Sequence, residues 1–185
     1  NHVEFEGKKK IYKLNNIDEV VETINYIRNS DYKDNLIIQE YIEGDDSNLF
    51  DAVVYCNKEG KCQCMAFAQI GLGEHTEKMV GNAAALINGF NTNTYDEKVP
   101  LKFKEFMEQI KFKGLAEIDI KYDRKDKKYK ILEINARQGR SSYYVTAAGC
   151  NLVKIVVDDL VYNKTSDFKL LKNEVLLTYV PKGII

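Results

Sequence analysis

The side chains best suited to chemistry lie together in residues 115–140, which read LAEIDIKYDRKDKKYKILEINARQGR. Strand-forming residues flank the charged run in the middle, so we predict a β-hairpin that turns near Asp126. In that hairpin Asp119 faces Glu133. Two carboxylates directly opposite each other on a sheet repel, and a divalent cation commonly offsets such repulsion. The spacing therefore indicates a cation site.

Magnesium is the cation that suits this set of side chains. It binds hard oxygen ligands and takes few carboxylates from a protein, while water and nucleotide phosphates complete its shell. Glu117 faces Asn135 in the same register, which places the Asn135 amide beside the two carboxylates. We predict that Asp119, Glu133 and Asn135 bind Mg²⁺ or Mn²⁺.

Two arginines follow the hairpin directly. Arg137 and Arg140 have guanidinium groups that suit the oxygens of a phosphoryl group or a carboxylate. Ser141 and Ser142 then open a predicted helix, whose first N–H groups would also favour an anion. We therefore assign Arg137 and Arg140 as candidate catalytic residues.

The alternation of the hairpin leaves a second interpretation open. In the two paired strands one face carries charged and amide side chains at odd positions: Glu117, Asp119, Lys121, Glu133, Asn135 and Arg137. The even positions of the same strands are apolar and are expected to pack into the core: Ala116, Ile118, Ile120, Leu132 and Ile134. The outer face of any half-exposed hairpin has the same pattern. On periodicity alone, a solvated strand face stays an alternative to a cation site.

The remaining sequence predicts an α+β architecture around this hairpin. Helices are predicted from about Ile17 with Asn16 as N-cap, after Pro100, over 141–148 with Gly149 as C-cap, and after Asn151. Strands are predicted at 8–14, 36–42, 49–57, 61–70, 114–122, 128–135 and 174–180. Residues 71–99 are expected to be mostly loop, with a short helix near 76–87. Because the strands arrive as hairpins, we expect a largely antiparallel sheet flanked by helices.

Composition excludes several classes of protein. The 185 residues carry 27 Lys and Arg against 28 Asp and Glu, so a broad nucleic-acid surface is not expected. No apolar run is long enough to span a membrane. Cys62 and Cys64 are expected on one face of a strand with no second ligand pair, which favours reduced thiols over a zinc site. Reduced thiols in turn predict a cytoplasmic location.

The motif E-I-N-A-R at 133–137, with Asp119 fourteen residues before Glu133, resembles the metal-binding hairpin of ATP-grasp enzymes. The run LIIQEYIEGDDSNL at 36–49 is similar to the hinge strand of that family, which usually reads E-x-x-I-x-G-x-E. Within the family, E-G-D-D-S-N and E-I-N-A-R-Q-G-R-S-S-Y-Y resemble D-aspartate ligase-like and carbamoyl-phosphate-synthase-like members. The resemblance spans residues 36 to about 162.

The resemblance implies an ATP site at the hinge. Gln39 stands where the family has its first Glu, and Tyr41 and Ile42 would offer backbone groups to adenine. Asp46 takes the place of the acid that binds the ribose hydroxyls. Gln39 and Asp46 both depart from the residues usual in the family, so the contacts of the nucleotide are expected to differ in detail.

The resemblance also implies the reaction and the partners. We expect ATP- and Mg²⁺-dependent ligation of a small-molecule carboxylate to an amine or thiol through an acylphosphate. A non-catalytic nucleotide-binding domain is the alternative, followed by a plain interaction domain. Residues 1–45 are expected to be a remnant of the small ATP-grasp lobe, and 46–185 to be the C-terminal lobe. The phosphate-binding Lys strand of the family is missing, so the chain is expected to be an excised part of a longer ligase with little activity alone.

Overall fold

The computed structural model describes residues 5, 8–76, 79–89, 96–181 and 183. The chain divides into two compact units. The first contains residues 1–42 and 75–80, and the second contains residues 43–74 and 81–185. The division lies three residues before the boundary predicted from the sequence, and the segment 75–80 joins the first unit.

The first unit contains the predicted capped helix. Helix α1 covers Ile17–Arg28, and the Asn16 side chain accepts a hydrogen bond of 2.9 Å from the Glu19 N–H. The Glu19 carboxylate accepts a hydrogen bond of 2.9 Å from the Asn15 N–H, so one N–H group of the first turn and one that precedes the helix are both satisfied. The helix and its cap are confirmed.

Two strand predictions in the first unit are wrong. Residues 8–14 and 36–42, the latter being the predicted hinge strand, form neither strand nor helix. A strand requires a hydrogen-bonded neighbour, and within the described chain neither segment pairs with another. Consequently Ile37 is 89% exposed and Ile38 is 67% exposed.

The second unit is built on a sheet of seven strands within the described residues. The strands are β1 (Leu49–Cys56), β2 (Cys62–Gly73), β3 (Ala83–Asn88), β4 (Gly114–Asp123), β5 (Lys128–Asn135), β6 (Lys169–Leu171) and β7 (Val175–Thr178). Their order is β5-β4-β1-β2-β3-β7, with β6 pairing in parallel to β2. All other pairs are antiparallel, which confirms the predicted α+β class.

Helices cover both faces of this sheet. Helix α2 (Lys98–Gln109) packs Phe103 and Met107 against the first face, together with Phe67 and the apolar side of β4. Helices α3 (Tyr143–Ala147) and α4 (Leu152–Leu160) pack on the second face through Tyr144, Val145 and Leu152. The described helices include none with the length and apolar content needed to cross a bilayer.

The short helix predicted near residues 76–87 is wrong, and part of the predicted loop of residues 71–99 is strand. Strand β2 continues to Gly73, and β3 occupies Ala83–Asn88, where a helix had been expected. The small apolar residues of this stretch fit between β2 and β7, and they pair with both. Residues 77–78 and 90–95 of the predicted segment lie outside the described residues.

A β-bulge also corrects the placement of the cysteines. Tyr55 pairs with Cys64, whereas the next residue, Cys56, pairs with Cys62, so Gln63 is the extra residue. The bulge turns Cys62 toward one core cluster and Cys64 toward the other. The two thiols therefore lie on opposite faces of the sheet. The four cysteines are free thiols.

Candidate functional site

The hairpin β4–β5 has the register predicted from its sequence. Glu117 pairs with Asn135 and Asp119 pairs with Glu133, so these four side chains share one face. Asp119 is partly buried and Glu133 is exposed. The two carboxylates that were predicted to bind a cation therefore lie side by side on adjacent strands, on a face that solvent reaches.

The opposite side of the hairpin packs into the core, with one difference. Ala116, Ile118 and Ile120 are fully buried, and Ile134 packs against the same cluster. Asp119 pairs with Glu133 but Ile120 pairs with Ile131, so a bulge leaves Leu132 unpaired. Leu132 is half-buried and lies outside both core clusters.

The Asn135 amide connects the carboxylate pair to Arg137. Its Nδ2 donates to Asp119 Oδ2 at 3.3 Å, and its Oδ1 accepts from Arg137 Nη2 at 3.3 Å. The amide oxygen, which is the atom that could bind a cation, therefore points toward Arg137 rather than Asp119. For all three side chains to ligate one ion, the amide would have to turn over and Arg137 would have to release it.

The two arginines make separate sets of contacts. Arg137 lies 3.5 Å from Glu117 Oε2 through Nη1, and 62% of its side chain is exposed. Arg140 Nη2 lies 3.7 Å from Glu74 Oε1, at the end of β2. Its guanidinium also stacks 4.3 Å from the centre of the Tyr179 ring. Arg137 thus contacts the β4–β5 hairpin, whereas Arg140 contacts the residues that directly follow β2 and β7.

A buried carboxylate that the sequence analysis overlooked lies next to the hairpin. Asp51 of β1 faces Asp119 and is 4% exposed. The Ser141 hydroxyl lies 3.0 Å from Asp51 Oδ2, and the Tyr144 hydroxyl lies 3.3 Å from Oδ1. Burial, and then the nearby charge of Glu117, raise the pKa of Asp51 well above its usual value. Asp51 is the only charged residue of the strand LFDAVVYC, which is the signal that could have identified it.

The two serines predicted to open a helix lie in the loop that precedes helix α3. Ser141 Oγ lies within hydrogen-bonding distance of both Asp51 and Glu117, and Ser142 Oγ accepts from the Gly139 N–H at 3.0 Å. Helix α3 has only five residues and begins at Tyr143. The Ser141 hydroxyl therefore holds the loop that follows β5 onto the sheet, whereas Ser142 stabilises the loop itself. The helix predicted to open at Ser141 starts two residues later, and an anion at its first N–H groups stays a prediction.

Known proteins were compared with this chain by sequence and by structure. A D-aspartate ligase from Enterococcus faecium is 37% identical over 162 residues, which cover 88% of this chain and 37% of the ligase. An N5-carboxyaminoimidazole synthetase from Staphylococcus aureus, complexed with ADP, superposes with a TM-score of 0.60 at 13% identity. That match covers 91% of this chain and 43% of the synthetase. The synthetase is an ATP-grasp protein.

The chain therefore has the ATP-grasp fold, and over most of its length its sequence is similar to a D-aspartate ligase. A urea carboxylase from Kluyveromyces lactis also superposes, with a TM-score of 0.50 at 13% identity over 69% of this chain and 11% of the carboxylase. No family model matches the sequence. The chain spans less than half the length of the D-aspartate ligase and of the synthetase.

The residues predicted to contact nucleotide in an ATP-grasp hinge are divided between the two units. Gln39, Tyr41 and Ile42 belong to the first unit, where Lys13 Nζ lies 4.1 Å from the centre of the Tyr41 ring. Asp46 belongs to the second unit, in a 3₁₀ turn before β1. Its Oδ2 accepts from the Gly73 N–H at 2.7 Å, so the carboxylate predicted to bind ribose is tied to the end of β2.

The donor set of the hairpin fits the Mg²⁺ expected of an ATP-grasp protein. Among the described residues, no group of three or more His, Cys, Asp or Glu side chains is arranged to hold a metal. The hairpin instead offers two carboxylates and one amide. Mg²⁺ typically takes one or two carboxylates and completes its shell with water and phosphate oxygens. The chemistry of Asp119, Glu133 and Asn135 matches that requirement.

Proposed function

We propose that this chain binds ATP and Mg²⁺ as part of a ligase that joins a carboxylate to an amine. The observation that carries the proposal is the facing pair of Asp119 and Glu133 on an accessible sheet face, with Asn135 and Arg137 directly after it. The 37% identity to a D-aspartate ligase supports it and suggests an amino acid, D-aspartate in that relative, as one substrate.

In this proposal Asp119 and Glu133 hold the cation and Asn135 turns its amide oxygen toward it. Mg²⁺, when bound, neutralises charge on the phosphates of ATP. Two carboxylates held on neighbouring strands need little rearrangement to bind a shared ion, since the sheet fixes their spacing. A third carboxylate, Asp51, lies in the same row. Burial, and then the charge of Glu117, raise the pKa of Asp51 well above its usual value, which favours its uncharged form and limits repulsion in this row.

Arg137 and Arg140 are assigned different ligands. Arg137 is more than half exposed and lies beside the proposed cation site, so it is placed to bind the oxygens of the transferring phosphoryl group. Arg140 is held by Glu74 and the Tyr179 ring, and 40% of its side chain is exposed. We assign it to the substrate carboxylate, which a planar guanidinium can bind through two hydrogen bonds.

The proposed reaction proceeds in two steps. The carboxylate oxygen attacks the γ-phosphorus of ATP, which forms an acylphosphate and releases ADP. The amine, or a thiol in a variant of the reaction, then attacks the acyl carbon and displaces inorganic phosphate, losing its proton. Both steps concentrate negative charge, so they depend more on cationic groups than on acid–base residues.

Paramagnetic Mn²⁺ tests the cation site in this chain directly. In a ¹⁵N-labelled sample, substoichiometric Mn²⁺ should broaden first the amide signals nearest Asp119, Glu133 and Asn135. Asp119→Asn should remove that selective broadening, whereas Glu105→Gln on the exposed side of α2 should not. Broadening centred elsewhere in the wild-type chain would contradict the assignment of these ligands.

Turnover separates the ligase from a non-catalytic nucleotide-binding domain. In a protein that carries this chain, sustained release of ADP over many turnovers should require ATP, Mg²⁺, a carboxylate such as D-aspartate and an amine acceptor together. Binding of ATP and Mg²⁺ without any such release, across a panel of acids and amines, would favour the non-catalytic alternative. A protein that neither binds ATP and Mg²⁺ nor releases ADP would leave only the interaction domain.

A further inference from the structure

Glu117 is a buried carboxylate that the proposed reaction does not use. It lies two residues before Asp119 on the same face of β4, and its side chain is 10% exposed. Charged side chains are seldom buried unless several partners surround them. Within the described residues the side chain of Glu117 contacts the loop of residues 136–142, which also carries Arg137 and Arg140.

The loop is shaped around this carboxylate at Gly139. A Cβ atom at position 139 would lie 1.8 Å from both oxygens of Glu117, so the carboxylate fills the space that any other residue would need. The Gly139 N–H donates to Ser142 Oγ at 3.0 Å, a hydrogen bond within the loop that fixes its local conformation at this position. Close approach of the backbone, and not a left-handed conformation, is therefore what requires glycine here.

Two further groups hold Glu117 on either side. Ser141 Oγ lies 3.2 Å from Glu117 Oε1 and 3.0 Å from Asp51 Oδ2, so one hydroxyl connects the two buried carboxylates. On the other side, Glu117 Oε2 faces Arg137 Nη1 at 3.5 Å. Glu117 thus spans from the buried interior to the exposed guanidinium.

Three acceptors converge on the Arg137 guanidinium. Nη1 contacts Glu117 and donates to the Gln138 carbonyl at 3.3 Å, while Nη2 donates to Asn135 Oδ1. Glu117 is the one charged acceptor of the three and the most deeply buried. An ion pair with one exposed partner stabilises a fold little, so the value of this pair lies in where it places the guanidinium.

We propose that Glu117 is a positioning residue that fixes the 136–142 loop and orients the Arg137 guanidinium beside the Asp119–Glu133 pair. A side chain with many rotamers loses freedom when it binds a ligand, and holding it in place beforehand removes part of that cost. The inference rests on the proposed function only where it takes Arg137 to bind an anion. The restraint of Arg137 by Glu117 stands independently.

Side-chain NMR of the arginines tests the restraint without any turnover. The sequence has four arginines, at positions 28, 124, 137 and 140, so their Nε–Hε signals can be assigned by substitution. In the wild-type chain the Arg137 Nε–Hε order parameter should be clearly higher than that of Arg124, which is exposed in the β4–β5 turn. In Glu117→Gln it should fall below about 0.6, the range of flexible groups.

Glu133→Gln is the matched control, because it makes the same chemical change on the same sheet face. It should leave the Arg137 order parameter unchanged. An Arg137 as mobile as Arg124 in the wild-type chain, or unaffected by Glu117→Gln, would overturn the proposal. If Glu117→Gln does not fold, the wild-type comparison of Arg137 with Arg124 decides alone.

Inorganic phosphate separates this inference from the proposed function. Titration of the wild-type chain should shift the Arg137 signal in a saturable way if Arg137 binds phosphoryl oxygens. If the Arg137 signal does not shift, the assignment of Arg137 to phosphoryl oxygens is wrong. The order parameters would still decide whether Glu117 restrains Arg137.

Discussion

At the scale of single residues, neighbouring positions of the β4–β5 hairpin lie on opposite faces of the sheet, one toward the proposed site and one toward the core. Glu133 is exposed beside Asp119, whereas the next residue, Ile134, packs against the core cluster beneath. The difference follows from the two-residue period of a strand. Substitutions at adjacent positions can therefore separate an effect on the site from an effect on the fold.

Glu133→Gln should weaken Mn²⁺ binding at least about tenfold, a loss of roughly 1.4 kcal/mol. The free energy of unfolding should stay the same or rise slightly, because one of two facing negative charges is removed. Ile134→Ala should lower it by about 2 kcal/mol, the low end for such a change, since Ile134 is only partly buried. Urea unfolding and Mn²⁺ titration measure the two quantities. Equal losses of stability in the two variants would contradict the assignment of their faces.

Gly139→Ala should destabilise the chain by about 2 kcal/mol or more, because the new methyl group would overlap the Glu117 carboxylate. The matched control is Gly71→Ala, where the nearest atom to a new Cβ, the Ala85 carbonyl oxygen, lies 3.8 Å away. That variant should be neutral or more stable by up to about 1 kcal/mol. Urea unfolding of both variants provides the measurement. Equal stability of the two would mean that Glu117 has room to move.

At the scale of elements, α2 is joined to the sheet by polar contacts as well as by its apolar face. Glu108 accepts from the Cys62 N–H at 3.0 Å and from Lys104 Nζ at 3.0 Å. Partial burial acts to raise the pKa of Glu108. These two hydrogen bonds and the charges of Lys104 and Lys61 together outweigh it, so the pKa lies below its usual value. A lowered pKa means that the ionised form favours the folded state.

Glu108→Gln should therefore lower the free energy of unfolding by about 1 kcal/mol near pH 7. The contribution of Glu108 is fully present above pH 4.5, its usual pKa, and is lost as the pH falls through the lower pKa of the folded state. The difference in the free energy of unfolding between Glu108→Gln and the wild-type chain should therefore shrink as the pH falls below 4.5. Glu105→Gln, an exposed position on the same helix, should show little difference at any pH. Urea unfolding between pH 3 and pH 7 tests this, and a constant difference would contradict it.

At the scale of the whole molecule, the two units differ in how they are held together. Both buried clusters consist of residues from the second unit, on the two faces of its sheet. The first unit contributes one buried residue to the described core, Ile27 of α1. Stability scales with the apolar area removed from water, so the second unit should fold largely on its own.

Residues 43–185 should therefore unfold in urea with a free energy within about 1 kcal/mol of the whole chain, since removing residues 1–42 leaves both clusters intact. The fragment should also retain selective broadening by Mn²⁺, because all the proposed ligands belong to the second unit. Deletion of 171–185 removes Leu171 and β7 from the sheet and is the destabilising comparison. A fragment 43–185 that fails to fold would show that the first unit is needed.

The sequence by itself determined the features that depend on neighbouring residues. The register of β4–β5 followed from alternation within one hairpin, and the cap of α1 followed from Asn16 and Glu19 three positions apart. Even so, the bulge that leaves Leu132 unpaired left no mark in that alternation. The ATP-grasp fold was predictable because its hairpin motif is also local.

Only the tertiary structure decided which distant segments meet. Residues 36–42 have a strand-like composition but pair with nothing in the described chain, whereas 83–88 form a strand because β2 and β7 lie on either side. Likewise Glu117 is enclosed by Gly139 and Ser141 and meets Asp51 through that serine, although Asp51 lies more than sixty positions away along the chain. Which remote segments pair by hydrogen bonds, and which side chains they bury, depends on how the whole chain packs. No local pattern of residue types encodes that packing.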